Sequence, residues 1–460
     1  MPVMTKQQQH EPGQQALSKS KPDDSKAFGL WSAISLGIGS MVGAGIFIVI
    51  GEAGAIAGNL VTVSFLIGGI IALLCGYSLS KLAVRYPSRG GIIEYLVQAY
   101  GEGFFSGTLG VLFYFTGLIA LAAVAKSFGT YAATYMSDGV TPGYANLFAI
   151  AIVLLFVIIN LVGAKVVAKA ENLIVAVKLT ALLIFTVAAL FFIKPANLSI
   201  SEAPGFVNVL YALGLTFFAF QGFSVITNSV EDMQDPAHTM LRSMNWSIGL
   251  VAVLYIAVSI AVFGNLPLAT IIRDKDFALA GAAQPAFGLW GFKIMAATAL
   301  LATASAINAS LYAVTQVSYT LAREGDLPSA YQRNVYNNTE GLIISALLIV
   351  PMLVFFELGQ IATIAAIAVL LIQGFTHTGH LFKYHQTGGN PLWILAAASG
   401  SFGAAGFAIT YTAKSMPDII YYIGGIFFLA FVFEVSLRVI GGRVVAKQKL
   451  RQIKASPVGV

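Results

Sequence analysis

Charge is what this chain most lacks. Asp, Glu, Lys and Arg make up 10% of its 460 residues against 57% hydrophobic, where a soluble domain carries about 25% charged residues. A globular protein so poor in charge could not keep its surface wet, so the apolar surplus must face lipid. Cysteine is almost missing too. The single Cys75 excludes an intrachain disulfide and a cysteine-built metal site, and its apolar surroundings mark it as a packing residue. No HExxH, GxSxG or Walker A pattern occurs, so the zinc-hydrolase, serine-hydrolase and P-loop signatures are missing. No enzyme activity and no cofactor are expected. The first 26 residues hold no apolar run, so no secretory signal peptide is expected there.

What the chain has in excess is long apolar runs. Segments 343–355, 145–161 and 173–193 approach or reach the length of about 20 residues that crosses a bilayer. From Phe28 on, twelve spans are predicted, near 28–53, 59–84, 102–136, 143–162, 168–193, 205–230, 243–266, 288–320, 341–357, 359–382, 391–412 and 417–441. At the tight link between 357 and 359, one long kinked stretch is the competing reading. Residues 277–287 are too short to span and form either a cover over the outer face or an interfacial helix. Loops rich in Lys and Arg stay in the cytoplasm. With both termini inside, nineteen of the 26 Lys and Arg fall on the inner side, six on the outer, and Lys178 on neither. The net charge of +6 therefore points to the inner leaflet of the cell membrane, not to nucleic acid. The basic segment Arg443–Lys454 is expected to lie against anionic headgroups.

Two spans look broken. The first carries Gly37, Gly39, Gly43 and Gly45, four glycines in nine residues, each weakening a helix by about 1 kcal/mol relative to Ala. Unwound backbone at that depth is tolerated where it lines a cavity, and half-helix N-termini there aim positive dipole ends at an anion such as a carboxylate. The competing reading is close helix packing, which suits Gly39 and Gly43 better than the cluster Gly43-Ala44-Gly45. The sixth span holds Gln221, Gly222 and a polar second half, Ser224, Thr227, Asn228 and Ser229. Paired breaks in corresponding positions of two halves mark a transport site. Of the surrounding aromatics, Phe218 and Phe223 are the candidates to close over a substrate.

No carboxylate lies in the middle of spans one, three, six or eight. A cationic cargo would ordinarily want one, so a zwitterion with a neutral side chain fits better. Glu52, Glu94, Glu357 and Glu434 fall near span ends and read as solvated; His377, His380 and His385 read as interfacial residues. Lys178 differs. It lies nine residues beyond Lys169, about 13 Å deeper at 1.5 Å per residue, roughly twice the reach of a lysine stem. Burial favours the uncharged amine, so this group can release a proton during a transport cycle. A permanently charged structural lysine tying helices together is the alternative.

Several segments together resemble the amino acid–polyamine–organocation (APC) transporters, in their prokaryotic, sodium-independent, proton-coupled branch of broad amino-acid specificity. They are Ile38-Gly-Ser-Met-Val-Gly-Ala-Gly-Ile-Phe47, Tyr86-Pro-Ser-Arg-Gly-Gly91, Phe218-Ala-Phe-Gln-Gly-Phe223, Glu231-Asp-Met-Gln-Asp-Pro236, Ser305-Ala-Ile-Asn308 and Arg323-Glu-Gly-Asp-Leu-Pro328. One departure is Leu241 before Arg242, where the family commonly has proline. The resemblance implies an all-α membrane protein of twelve transmembrane helices, a LeuT-type five-plus-five inverted repeat with helices 1 and 6 broken. The chain then divides into a disordered cytoplasmic tail (1–27), two repeats (28–200 and 201–386), two further spans (387–442) and a basic cytoplasmic tail (443–460). It further implies that N–H groups of Gly43, Ala44 and Gly45 hold a substrate carboxylate. Carbonyls of Met41, Phe218, Ala219 and Gln221 would hold the amino group. The Lys178 ammonium would take the place of a sodium ion near the carbonyls of Gly39 and Val42 and the hydroxyl of Ser305, with Thr303 a weaker partner.

The expected function is proton-coupled symport of small neutral L-amino acids by alternating access. The expected partners are that amino acid, protons and membrane lipid, with the protein a monomer or homodimer. A transporter of another cargo (a cationic amino acid, an amine or an inorganic cation) is the alternative on the same fold. A channel is the alternative outside it, but it would want a continuous polar pore lining.

Overall fold

The computed structural model describes residues 28–43, 45–88, 90–162, 165–199 and 204–440. Ala44, the segment 1–27 and the segment 443–460 lie outside them. Strand among the described residues is one small pairing, Asn334–Val335 with Asn338–Thr339; all else regular is helix.

The first apolar stretch is two helices, α1 (Leu30–Met41) and α2 (Gly45–Ala57), separated where the glycines cluster. After α3 (Val61–Arg85) and the short α4 (Ile92–Tyr100) come α5 (Phe104–Ala133), α6 (Pro142–Val162) and α7 (Lys165–Leu190). The sixth stretch is broken as well. It consists of α8 (Phe206–Tyr211), α9 (Leu213–Ala219) and a 3-10 segment, Phe223–Asp232. Next come α10 (Pro236–Asn265), α11 (Leu268–Arg273), a 3-10 turn at Lys275–Phe277, and α12 (Ala278–Glu324). The remainder is α13 (Glu340–Phe355), α14 (Leu358–Leu381), α15 (Tyr384–Thr387), α16 (Pro391–Ser415) and α17 (Pro417–Ile440).

Local chemistry explains where the helices begin and bend. α10 starts at Pro236, earlier than the expected 243, because Pro suits the first helical turn and Asp235 caps it by accepting the His238 N–H. The hydrogen bond from the His238 ring holds the Asp235 carboxyl below the usual carboxylate range. This cap therefore stays ionised, and contributes, until the pH falls through that lowered value. Residues 278–287 are helical and are set off from the long remainder of α12 by Gly288, whose φ 63° and ψ −159° are not helical. The link near 357 separates two helices. Phe356 is extended, and Glu357 with Gln360 forms a capping box at the start of α14.

Ten stretches of the described residues are long and apolar enough to cross a membrane, accompanied by two shorter apolar helices, Leu30–Met41 and Glu340–Phe355. α14 and α5 are central, with 78% and 72% of their most apolar windows buried, whereas α17 has 22%. Leu154, Ile158, Leu183, Val187 and Phe428 stay exposed and form an apolar perimeter that only lipid can cover. The chain is a multi-pass membrane protein.

Four side chains expected at solvated or interfacial positions are buried instead: Glu52, Glu434, His377 and His380. Each found a partner distant in sequence or one turn away. Glu52 pairs with Lys275 at 3.1 Å and Glu434 with Arg438 at 2.8 Å, while both histidines bond Ser78. Glu357 and His385 are exposed as expected.

Candidate substrate and coupling site

The two breaks meet. α1 ends as Val42 leaves helical geometry (ψ 36°) while its N–H still reaches the Ile38 carbonyl at 2.8 Å. In the second break the Phe220 and Gln221 N–H groups bond the carbonyls of Phe217 and Phe218 at 2.9 and 3.0 Å, and Gly222 then turns the chain at φ 121°. A side chain there would be strained, and its Cβ would lie 2.8 Å from Ser40 Oγ, across in α1. Reciprocally, a Cβ on Gly45 would overlap the Ala219 carbonyl oxygen. Backbone thus faces backbone at both crossings, which only glycine permits.

A tyrosine ties the breaks together. The buried Tyr255 hydroxyl, from α10, lies 2.8 Å from the Met41 carbonyl and 3.2 Å from the Ala219 carbonyl. Its ring packs on Phe220 (centroids 5.1 Å apart) and edge-on to Phe65. Nothing in the sequence reading singled it out. The available signal was a phenol in an otherwise apolar span, which needs a hydrogen-bond partner once buried. Tyr131 behaves alike, donating to the Phe47 carbonyl in α2 at 3.2 Å.

Of the residues expected to bind substrate, Met41, Phe218, Ala219 and Phe223 are buried around this junction. Phe223 stands edge-on to Phe217 at 6.4 Å. The Gln221 side-chain nitrogen is buried with no hydrogen-bond partner among the described residues. Gly43 borders α12, where a Cβ on Gly43 would come within 3.2 Å of Ala306, the neighbour of Ser305.

Lys178 lies 1% exposed in α7, and its ammonium donates to the Gly39 carbonyl at 2.9 Å. Gly39 owes its place to packing as well, since a Cβ there would come within 3.1 Å of Val175 on α7. Ser305 and Val42 are buried. Thr303 spends its hydroxyl on its own helix, donating to Ala299 at 2.7 Å. Among the described residues, no group of three or more His, Cys, Asp or Glu could hold a metal ion.

Two broken stretches, α1–α2 and α9 with its 3-10 segment, meet in mid-bundle. Paired breaks of this kind mark the transport site of a membrane transporter. The sequence agrees: residues 28–448 match the Amino acid permease family, and the chain belongs to that family, within the APC superfamily. It is 34% identical over 348 residues to the inner membrane transport protein YbaT of Escherichia coli, covering 75% of this chain and 81% of that one. To the methylthioribose transporter of Bacillus subtilis it is 29% identical over 338 residues, 69% of this chain and 71% of the other. To the branched-chain amino acid permease BcaP of Bacillus subtilis it is 26% identical over 326 residues, with 67% and 69% covered.

Proposed function

We propose that this permease is a proton-coupled, sodium-independent symporter of small neutral L-amino acids working by alternating access. In this reading the spans form a twelve-helix, five-plus-five inverted repeat with both termini cytoplasmic. The observation that carries it is the buried Lys178 ammonium held 2.9 Å from the Gly39 carbonyl, at the end of the first half-helix. A cation there does the work of a coupling ion, and a lysine cation can come and go as a proton.

The substrate carboxylate is taken up by N–H groups at Gly43, Ala44 and Gly45, where α2 begins. The ammonium is taken up by carbonyls at Met41, Phe218, Ala219 and Gln221. The single Tyr255 hydroxyl proton is shared between two of these carbonyls, at 2.8 and 3.2 Å, and each carbonyl keeps a lone pair for the substrate. Phe218 and Phe223 close over the side chain. None of the residues gathered here is a carboxylate, which supports a neutral cargo. Lys178 shares its proton-bound state with the carbonyls of Gly39 and Val42 and with Ser305.

The test is uptake of radiolabelled amino acids by proteoliposomes, with and without an inward proton gradient, in sodium-free buffer. Accumulation that follows the gradient is the expected result; a strict sodium requirement removes the proposal. A second reading keeps the scaffold and changes the cargo. The likeness to a relative named for methylthioribose favours including that sugar among the competitors in the same assay.

A further inference from the structure

Away from the paired breaks, α3 and α14 share a buried polar chain. Ser78 Oγ lies 2.8 Å from His377 Nδ1 and 2.7 Å from His380 Nδ1. His380 Nε2 continues to Thr387 Oγ1 at 2.8 Å. Thr387 in turn helps to line a cleft of about 220 Å³ together with Ser80, Lys81, Arg85 and Leu241. Ser78, His377 and His380 are all 0% exposed. At the other end, His377 Nε2 has no hydrogen-bond partner among the described residues. Neither has Gln373 Oε1, one helical turn earlier on α14.

Counting hydrogens gives the chain a direction. Ser78 has one hydroxyl proton for two ring nitrogens, so one histidine donates from Nδ1 and the other accepts there. If His380 accepts, its Nε2–H donates to Thr387, whose own hydroxyl donates to the Tyr384 carbonyl at 3.1 Å. His377 then donates Nδ1–H to Ser78 and is left with a bare Nε2 lone pair, while every hydrogen points toward the cleft. The opposite assignment buries an unpaired N–H at His377 Nε2, and unpaired buried N–H groups are rarer and costlier. The two assignments differ by passage of one proton along the chain.

We propose that His377, Ser78 and His380 form a proton relay between the interior of the bundle and the Thr387 cleft, which is the inner face in the proposed orientation. The relay rests on the proton-coupled reading above. A proton adds to His377 Nε2, and the Nδ1 proton passes to Ser78 Oγ. The Ser78 hydroxyl proton passes to His380 Nδ1, the Nε2 proton passes to Thr387 Oγ1, and the Thr387 proton leaves to water in the cleft. One proton enters, one leaves, and no net charge remains. Lys81 and Arg85, in the cleft wall, are the charged groups at the exit of the relay. The other titratable neighbours are engaged elsewhere. Cys75 faces Ser401, the Tyr100 hydroxyl donates to the Phe375 carbonyl, and the Tyr77 hydroxyl accepts the Asn390 N–H.

The test reconstitutes the full chain and reads a trapped pH dye together with uptake of mixed radiolabelled neutral amino acids. Ser78→Ala should lower proton-driven accumulation at least tenfold while label-for-label exchange at equal pH persists, and Ser78→Thr should restore accumulation. His380→Gln should behave as Ser78→Ala. If both variants lose exchange along with accumulation, the chain is only a clamp between helices and the relay is overturned. It is overturned alone if wild type moves protons, Lys178→Ala does not, and Ser78→Ala moves them at the wild-type rate. If wild type moves no protons, the coupling reading falls and the relay with it.

Discussion

Lys178 and Tyr255 make different demands on the same few carbonyls. The lysine is a charge whose burial is tolerable because the Gly39 carbonyl, 2.9 Å away, receives it. The tyrosine is neutral and holds the Met41 and Ala219 carbonyls in place. Lys178→Ala should therefore leave a folded protein that exchanges substrate yet no longer accumulates it with a proton gradient; normal accumulation would remove Lys178 from the mechanism. Tyr255→Phe should remove the one hydroxyl proton that the buried Met41 and Ala219 carbonyls share, about 1–3 kcal/mol. It should weaken binding and lower the melting point together, as read by ligand-dependent thermal shift. Gly45 is a poor probe of the carboxylate position, because its Cβ would overlap the Ala219 backbone and any substitution disturbs packing first. Gly43 is better, since a Cβ there meets Ala306 at 3.2 Å and the Ser40 carbonyl at 3.3 Å, tight but short of overlap. Gly43→Ala should keep the fold and weaken binding on the order of tenfold, about 1.4 kcal/mol. Unchanged affinity would move the carboxylate elsewhere.

At the scale of elements, the breaks were legible because their causes are local. The glycine cluster that ends α1 and the Gly222 turn with φ 121° are written into short windows of sequence. The depth of Lys178 follows from counting residues along one helix. What joins the elements was not legible, because each link is a pairing across long sequence separations. Ser78 is 299 residues from His377, Tyr255 is 214 from Met41, and Glu52 is 223 from Lys275. No periodicity encodes such partners, so Glu52 read as a solvated end residue. It is buried against the 3-10 turn Lys275–Phe277, where a Cβ on Gly51 would overlap the Lys275 carbonyl, and its Oε1 has no hydrogen-bond partner among the described residues. Removing Lys275 leaves the buried Glu52 carboxyl without its cationic partner, at a smaller cost than for a fully buried pair because the Lys275 side chain is 35% exposed. Here that cost falls on a short segment laid across α2, so local opening should come before unfolding. Lys275→Ala should speed amide hydrogen exchange in residues 268–277 by at least tenfold while leaving α14 protected. Exchange at the wild-type rate would mean that the ion pair does not hold this segment.

For the whole molecule, the arrangement to be tested is the order in which the chain crosses the membrane. The Lys and Arg asymmetry that set the orientation reflects how loops are retained during insertion, and it can be tested by access to loops. Cys75 is the sole cysteine and is buried 3.4 Å from Ser401 Oγ, so Cys75→Ala gives a cysteine-free background at the loss of one weak contact. In that background Asp138→Cys (between α5 and α6), Asn197→Cys (after α7) and Lys414→Cys (at the end of α16) should react with an impermeant maleimide applied to intact cells. Ser88→Cys (after α3) and Gln332→Cys (after α12) should react only once the membrane is opened. The pattern of three outer and two inner positions holds only if the broken stretch α8–α9 with its 3-10 segment counts as one crossing, and if α13 and α14 count as two. Reversal of all five would turn over everything after α3 and leave the crossings between the probes as proposed. Reversal of Lys414 alone would remove a crossing between α13 and α16, and with it the even count that places both termini on one side.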